Sequence, residues 1–403
     1  MKKRLFTFAL FAMIALPTLW AQKEGFTYKI YGQVRTDFYF NSRQNNESVD
    51  GALLSYPKAK DLDPSGKDLN GVANLNMYNM HSRLGVDVTG PSLGGWKTSA
   101  KIEFDFRGNS TNLGIIRMRH AYFQLAKNGF SFLAGQTWHP LQNTVTPELM
   151  NLNSGAPFQL LLRTPQLHFQ YQDNLIKVRA AMVWQAMVAS MGPGNTRSRE
   201  YLRNSKIPEL FASIDVHQGS NTIGVAAHFI SLIPEIKTEL GYKTNARVNG
   251  LSLEAHGKYS KDLFTIAAKT ILNENFNHAN TLGGYGVSSI DTRTGKKKYA
   301  PLRVSQSWVN IMYGSKWRGG LYAGYLKNLG ASKNVTDLVG VGTNVDQIAS
   351  VSGELTYNIP GWKFGLEYNF TSAWYGTPDA KGKVKNTYDV SNHRLLFAAM
   401  FMF

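Results

Sequence analysis

Hydrophobic and polar residues alternate with a period of two in many separate segments of this chain. In residues 26–40 one parity is aromatic or aliphatic, while the other is polar and includes Arg35 and Asp37. The same alternation returns in residues 96–107 and 362–371. Successive side chains of a β-strand point to opposite faces, and these segments are longer than an average globular strand. The pattern therefore predicts long strands that have one apolar face and one charged face.

Sixteen strands of this kind are predicted, and the connections between them alternate between short turns and long loops. Short periplasmic turns and long outer loops are typical of outer-membrane barrels. We therefore expect an all-β fold, a transmembrane antiparallel up-and-down β-barrel of about 16 strands. The predicted strands span residues 26–40, 77–88, 96–107, 115–125, 130–139, 164–171, 175–185, 209–217, 222–230, 249–259, 263–272, 304–314, 320–327, 350–358, 362–373 and 391–403.

The last predicted strand ends in a run of apolar side chains on one parity, among them Phe401 and Phe403. An exposed apolar edge strand is an aggregation hazard in water, whereas a barrel in lipid pairs that edge with its first strand. This ending resembles the C-terminal strand of Gram-negative outer-membrane barrels, whose final Phe is part of the assembly signal. The resemblance implies that Phe401 and Phe403 are assembly residues and that the barrel-assembly machinery is a partner.

The amino-terminal residues have the pattern of a secretory signal peptide. Cations at positions 2–4 precede an apolar run at 5–19, and Ala21 is a small residue suited to cleavage. An N-terminal membrane anchor is the alternative, but the run is shorter than the roughly 20 residues that a spanning helix needs. We expect a signal peptide at 1–21 and an outer-membrane barrel, in contact with lipid, at 22–403.

Composition narrows the class of protein further. The chain has 403 residues, no cysteine and a formal charge of +17, which becomes +14 without the three cations of the predicted signal peptide. No later segment is apolar for 18 residues in a row, so a helical membrane protein is excluded. A net positive charge of this size is common in proteins that bind nucleic acids. Here the cations alternate along strands rather than form one patch, so we expect no nucleic-acid partner and a lumen that favours anions.

A sixteen-stranded barrel is wide enough to leave an aqueous channel. Arginine suits the wall of such a channel because its planar fork binds carboxylate or phosphate through two hydrogen bonds. Any single charge can simply be solvated there, but a set of them predicts selectivity. The candidate residues for a pore constriction and for selectivity are Arg35, Arg83, Lys101, Arg117, Arg119, Arg163, Arg179 and Glu148.

The third outer connection, residues 140–163, is mostly apolar or neutral and has Glu148 as its one acid. A loop of this composition is poorly suited to water at the cell surface. We therefore expect it to fold into the lumen and narrow it, with Glu148 facing Arg117, Arg119 and Arg163.

The chain contains four short segments of note: GQTWHP at 135–140, RTPQLHFQY at 163–171, RMRHAY at 117–122 and GYLKNLG at 324–330. Together they resemble the DcaP-like porins. The resemblance implies a sixteen-stranded, trimeric outer-membrane channel without cofactors that passes small anionic solutes such as dicarboxylates. Those trimers can have an N-terminal coiled coil, but here about four residues separate Gln22 from the first strand, so any trimer would form through barrel walls.

Other classes of protein fit the sequence less well. The nine histidines show no HExxH or other metal-ligand spacing, and there is no GxSxG motif, so an enzyme is not expected. An energy-coupled transporter needs a plug and about 22 strands, and an apolar solute gains nothing from a charged wall. A structural or surface-binding barrel with a closed lumen stays open as the alternative, and ion flux distinguishes it from a porin.

Overall fold

The computed structural model describes residues 25–48, 51, 53–108 and 114–403, and nearly all regular structure in them is β-strand. The predicted signal peptide at 1–21 lies outside these residues. One short helix, α1 (Glu200–Ser205), and one 3-10 turn (Pro193–Asn195) complete the regular elements. The strands are β1 (Thr27–Asn41), β2 (Asn45–Ser48), β3 (Leu53–Pro57), β4 (Asn74–Tyr78), β5 (Arg83–Leu93), β6 (Trp96–Asp105), β7 (Arg117–Lys127), β8 (Phe130–Trp138), β9 (Arg163–Gln172), β10 (Ile176–Val183), β11 (Met191–Gly192), β12 (Thr196–Arg197), β13 (Glu209–Gln218), β14 (Asn221–Leu232), β15 (Val248–Lys261), β16 (Phe264–Glu274), β17 (Gly283–Ile290), β18 (Lys297–Pro301), β19 (Arg303–Gly314), β20 (Trp317–Gly330), β21 (Thr336–Val341), β22 (Val345–Ile359), β23 (Trp362–Pro378) and β24 (Val384–Met402).

Within the described part of the chain, no helix is long and apolar enough to span a membrane.

The main sheet is antiparallel and closes on itself. One edge of β1 pairs with β24, and its other edge pairs with β4 and β5 in turn. The sheet thus contains seventeen strands but sixteen positions around the barrel, because β4 and β5 share one position. The predicted sixteen-stranded barrel is confirmed. The single strand predicted at 77–88 is corrected to two, since residues 79–82 turn out of the ladder with the Ser82 N–H bonded to the Asn79 carbonyl at 3.1 Å.

The seam of the barrel extends to Phe403. The N–H of Gly32 donates to the carbonyl of Phe403 at 2.9 Å, and the N–H of Phe403 donates to the carbonyl of Gly32 at 3.1 Å. A Cβ on Gly32 would come within 2.7 Å of the Phe403 ring. Glycine at position 32 therefore lets the aromatic ring approach the first strand closely.

The two faces of the barrel wall differ as the alternation predicted. On β24, the side chains of Leu395 and Phe397 are 48% and 43% exposed, whereas Arg394 and Leu396 are each 2% exposed. The exposed set on the other strands is likewise aliphatic or aromatic, and inward positions are largely polar. A closed sheet with an apolar outer face satisfies its backbone internally and can span a bilayer. The fold is that of an outer-membrane β-barrel.

The long connections contain small elements that the alternation did not predict. β2 and β3 form a hairpin, β11 and β12 form another beside α1, and β18, β17 and β21 form a three-stranded sheet. These strands are mostly too short for a period to be recognisable in sequence. The third connection differs from them, because residues 139–162 contain no strand or helix and yet are largely buried.

Candidate functional site

Residues 139–162, called the inward loop from here on, pack inside the barrel. Leu141 and Leu160 are fully buried and Phe158 is 2% exposed. The inward loop joins three separate apolar clusters on the wall. Leu141 and Leu160 belong to the cluster around Phe211, Phe158 to that around Trp308, and Met150 and Leu152 to that around Leu396.

Polar side chains on the wall bind the backbone of the inward loop. Lys269 donates from Nζ to the carbonyls of Leu141 and Gln142, both at 3.2 Å. The hydroxyl of Tyr322 donates to the carbonyl of Gly155 at 3.0 Å. These contacts satisfy loop carbonyls that are removed from water, where an unpaired carbonyl is costly.

Two wall carboxylates hold the middle of the inward loop. Glu354 on β22 lies opposite Glu367 on β23 in the strand register. The N–H of Met150 donates to Glu354 Oε2 and the N–H of Asn151 donates to Glu367 Oε2, each at 2.8 Å. Arg35 on β1 donates to the Met150 carbonyl. The loop is therefore held from both sides of the barrel seam.

A second feature of the lumen is a group of arginines on neighbouring strands, called the basic cluster here. Arg117 donates from Nε to Asp105 Oδ1 at 2.9 Å, and Arg119 bonds to both Asp105, at 3.0 Å, and Glu103. These pairs are nearly buried, and Asp105 is fully so. The basic cluster consists of Arg35, Arg83, Arg107, Arg117, Arg119 and Arg163.

Cations outnumber acids in this group. Six guanidinium groups share three carboxylates, those of Asp37, Glu103 and Asp105. Among the described residues, no carboxylate lies within 4 Å of the guanidinium nitrogens of Arg83, Arg107 or Arg163, and the Nε of each has no hydrogen-bond acceptor. Three of the arginines are bonded to the three carboxylates, and the three uncompensated cations give this wall a net positive field.

Arg163 has an aromatic partner in place of an acid. Its guanidinium carbon lies 3.6 Å from the ring centroid of Trp138, while that of Arg119 lies 5.7 Å from the same ring. Stacking on an aromatic face orients a guanidinium and leaves its charge unneutralised. Its edge N–H groups are then free to bind an acceptor.

The remaining arginine and lysine candidates each have an acidic partner on the wall. Arg35 pairs with Asp37 at 2.7 Å, Lys101 with Asp87 at 3.1 Å, and Arg179 with Asp215 at 2.8 Å. The structure brings Arg35, Arg83, Arg117, Arg119 and Arg163 together on adjoining strands. Arg179 lies on β10, where its side chain also donates to the carbonyl of Asn143 in the inward loop at 3.4 Å.

The expected position of Glu148 is corrected by the structure. Its carboxylate bonds to Arg318 on β20 at 2.9 Å, and its N–H donates to Asn310 on β19 at 2.9 Å. The loop carries Glu148 along the wall of β19 and β20, whereas Arg117 and Arg119 are on β7 with acidic partners of their own. The predicted pairing of Glu148 with Arg117, Arg119 and Arg163 is therefore not the one observed.

Sequence reasoning missed the wall residues that bind the inward loop. No local sequence pattern indicates that Glu354 and Glu367 accept loop N–H groups. Lys269 and Tyr322 were not singled out at all. Their partners are more than one hundred residues away along the chain, so no local pattern could have linked them.

Comparison with solved structures gives the class of fold. The outer membrane channel DcaP of Acinetobacter baumannii matches with a TM-score of 0.70 and 17% identity, covering 95% of this chain and 99% of that one. OmpT of Vibrio cholerae in its trimer form matches with a TM-score of 0.57 and 12% identity, covering 94% and 100%. A refined porin structure matches with a TM-score of 0.52 and 11% identity, covering 93% and 100%.

No protein-family model matches the sequence, and no curated protein matches it either. At identities below 20% the structural likeness establishes the fold. The chain thus has the architecture of sixteen-stranded outer-membrane channels and porins, and its likeness to DcaP agrees with the resemblance read from the sequence.

Proposed function

We propose that this protein is an outer-membrane porin that lets small hydrophilic solutes, chiefly anions, diffuse through a lumen narrowed by the inward loop. The observation that supports this proposal is that the loop is hydrogen-bonded to one set of barrel strands and not to the strands that carry Arg83, Arg117 and Arg119. Its hydrogen bonds to barrel side chains run to β1, β10, β15, β16, β19, β20, β22 and β23. Among the described residues, β5, β6 and β7 provide no such bond.

β5 and β7, which present Arg83, Arg117 and Arg119 of the basic cluster, are thus among the strands without a hydrogen bond to the loop. A solute passing between the loop and this wall meets the partly exposed Arg83 and Arg163, whose charges have no acidic partner within 4 Å in the described chain. Arg107 also has no acidic partner there, but it is 3% exposed and adds to the field from within the wall. Guanidinium groups bind carboxylates and phosphates with two hydrogen bonds each. Small mono- and dicarboxylates and phosphates are accordingly the solutes that this passage would favour.

Single-channel recording of the refolded mature chain in planar bilayers, under a salt gradient, tests the proposal. We expect stable conductance and a reversal potential whose sign indicates that anions pass more readily than cations. The double variant Arg83→Gln/Arg163→Gln removes two uncompensated charges and should move the reversal potential toward zero. Charge reversal at Arg117 and Arg119 should move it further, although it also breaks their pairs with Asp105 and Glu103.

Arg293→Gln is the matched control, because Arg293 is an exposed arginine in an outer-loop turn. It changes the net charge of the chain in the same direction but lies away from the lumen wall. A cation-selective wild type, or equal shifts in the control and in the double variant, would contradict the proposed role of the basic cluster.

One observation favours a second function, a barrel with a closed lumen that has a structural or surface-binding role. Several lumenal charges are almost inaccessible, with Asp105 fully buried, Arg119 2% exposed and Glu103 5% exposed. If the protein is verified as a folded barrel and still gives no conductance steps, the closed-lumen function is the correct one and the porin function is not.

The expected partners are part of the same proposal. Processing of residues 1–21 as a signal peptide, insertion by the barrel-assembly machinery and assembly of a homotrimer through barrel walls fit the fold. A trimer form is named for OmpT of Vibrio cholerae, whose fold this chain shares. Cross-linking of the detergent-solubilised protein, with three chains expected in the product, tests the trimer.

A further inference from the structure

Three histidines and one glutamate converge at the root of the inward loop. His139 begins the loop, Glu209 begins β13, His228 lies in β14, and His278 lies in the connection between β16 and β17. All four side chains are fully buried. A buried carboxylate surrounded by imidazoles differs in chemistry from the arginine–acid pairs of the lumen wall.

The distances within this group match those of a metal-binding site. Glu209 Oε2 lies 3.0 Å from His228 Nε2 and 3.5 Å from His139 Nε2. One ligand atom from each of these three residues lies within 4.8 Å of the other two. In a tetrahedral zinc site with bonds of about 2.0 Å, neighbouring ligand atoms are about 3.3 Å apart. The three side chains could thus coordinate one ion with small rotations.

The other carboxylate oxygen of Glu209 has different partners. Oε1 accepts a 2.8 Å hydrogen bond from Gln185 Nε2 and lies 3.1 Å from His278 Nε2. Outer partners of this kind fix the orientation of a ligating carboxylate. They leave Oε2 directed at His139 and His228.

The surroundings provide independent support. The ring of Phe276 packs against all three imidazoles, with centroid distances of 5.3 Å to His139, 4.4 Å to His228 and 4.7 Å to His278. Nε2 of His139 is buried and has no hydrogen bond of good geometry in the described chain, and it is directed into the group. A buried nitrogen without a partner is unfavourable, and coordination of a cation would satisfy it, with the ring proton on Nδ1 in place of the 3.2 Å hydrogen bond that Nδ1 accepts from the Leu141 N–H.

We propose that His139, Glu209 and His228 bind one divalent transition-metal ion, with His278 as a positioning residue that orients the Glu209 carboxylate. Imidazole and carboxylate ligands suit Zn²⁺, and Co²⁺ can take the same tetrahedral geometry, with a water molecule as the fourth ligand. The ion would join the root of the inward loop to β13 and β14. It would thereby fix where the loop enters the lumen.

Metal analysis of the refolded full chain tests this inference without any measurement of transport. The protein is dialysed against a chelator, equilibrated with ZnCl₂, freed of loose metal and assayed for zinc by mass spectrometry. We expect one zinc per chain and an increase in thermal stability when zinc is added back. Equilibration with CoCl₂ should give the visible absorption bands of four-coordinate Co²⁺.

Isosteric variants identify the ligands. Glu209→Gln, His139→Gln and His228→Gln should each retain no zinc at a concentration that saturates the wild type, and His278→Gln should weaken binding by about tenfold. His393→Gln is the matched control, because His393 is exposed on the outer face of β24. It should bind zinc as the wild type does.

Folding of each variant is checked by the heat-dependent gel mobility of closed barrels. If a variant does not fold, the zinc content and Co²⁺ spectrum of the wild type decide the outcome. A folded wild type that holds no zinc, or Glu209→Gln and His228→Gln variants that bind it normally, would overturn the proposal. Neither the zinc content nor the Co²⁺ spectrum depends on ion conductance, so the metal site and the porin function can each be contradicted without the other.

Discussion

The main-chain N–H of Met150 donates a hydrogen bond of 2.8 Å to Oε2 of Glu354 on the barrel wall. The next N–H along the loop, that of Asn151, makes the equivalent bond to Glu367. Glu354 and Glu367 face each other across neighbouring strands, an arrangement in which like charges repel. The loop provides the donors that such a pair needs, so wall and loop stabilise each other.

Removing both acceptors should release the middle of the inward loop. The double variant Glu354→Ala/Glu367→Ala leaves two backbone N–H groups without partners, at a cost of about 1–3 kcal/mol each while they stay buried. We expect noisier and larger single-channel currents and a lower thermal midpoint. Glu274→Ala is the control, since Glu274 also accepts a backbone N–H, from Leu251, but on an exposed part of the wall. Unchanged current noise in the double variant would show that these bonds do not hold the loop.

A glycine on the wall makes room for the most buried aromatic ring of the loop. A Cβ on Gly324 would approach the Phe158 ring to 2.4 Å, whereas a Cβ on Gly353 of the adjacent strand would meet only a Leu321 methyl at 3.8 Å. Gly324→Val should displace Phe158, change the conductance and lower the thermal midpoint. Gly353→Val should have little effect on either quantity, because valine suits a strand. Equal behaviour of the two variants would argue against tight packing at Phe158.

Glu148 should influence selectivity more than stability. Its side chain is 50% exposed and its partner Arg318 is 22% exposed, and ion pairs open to water contribute about 1 kcal/mol or less. Glu148→Gln removes the single acid of the inward loop, so we expect a stronger anion preference with a nearly unchanged free energy of unfolding. Glu239→Gln, which changes an exposed outer-loop acid paired with Lys297, should leave the reversal potential unaltered.

Alternation predicted the barrel well because a membrane barrel imposes the same rule on every strand. On β24 the exposed positions Leu395 and Phe397 are apolar, whereas the buried inward positions combine Arg394 with Leu396 and Ala398, which pack in one cluster with Met150 of the inward loop. The break between Tyr78 and Arg83 was missed because residues 79–82 mix polar and apolar types without interrupting the apparent strand. A break of this kind is set by local hydrogen bonds that the alternation does not register.

The contents of the lumen were less predictable. The composition of residues 140–163 indicated that the loop folds inward, but the partner of Glu148 depends on the path that the loop takes across the barrel. The same holds for His139, Glu209, His228 and His278. They come from four separate segments and have no metal-ligand spacing along the chain, so only the closed barrel brings them together.

Substitution of Phe403 should distinguish refolding of the barrel in detergent from its assembly into the outer membrane of cells. Its backbone bonds to Gly32 do not depend on its side chain, so Phe403→Ala should keep the seam of the barrel and refold in detergent with nearly normal yield. If the aromatic ring is read by the barrel-assembly machinery, the same variant should be strongly depleted from outer-membrane fractions of expressing cells. Phe397→Ala removes another exposed phenylalanine ring, 43% exposed against 58% for Phe403, from within β24. It should be depleted much less if the assembly signal is read at Phe403. Equal depletion of both variants would mean that loss of apolar surface, and not recognition of Phe403, limits assembly.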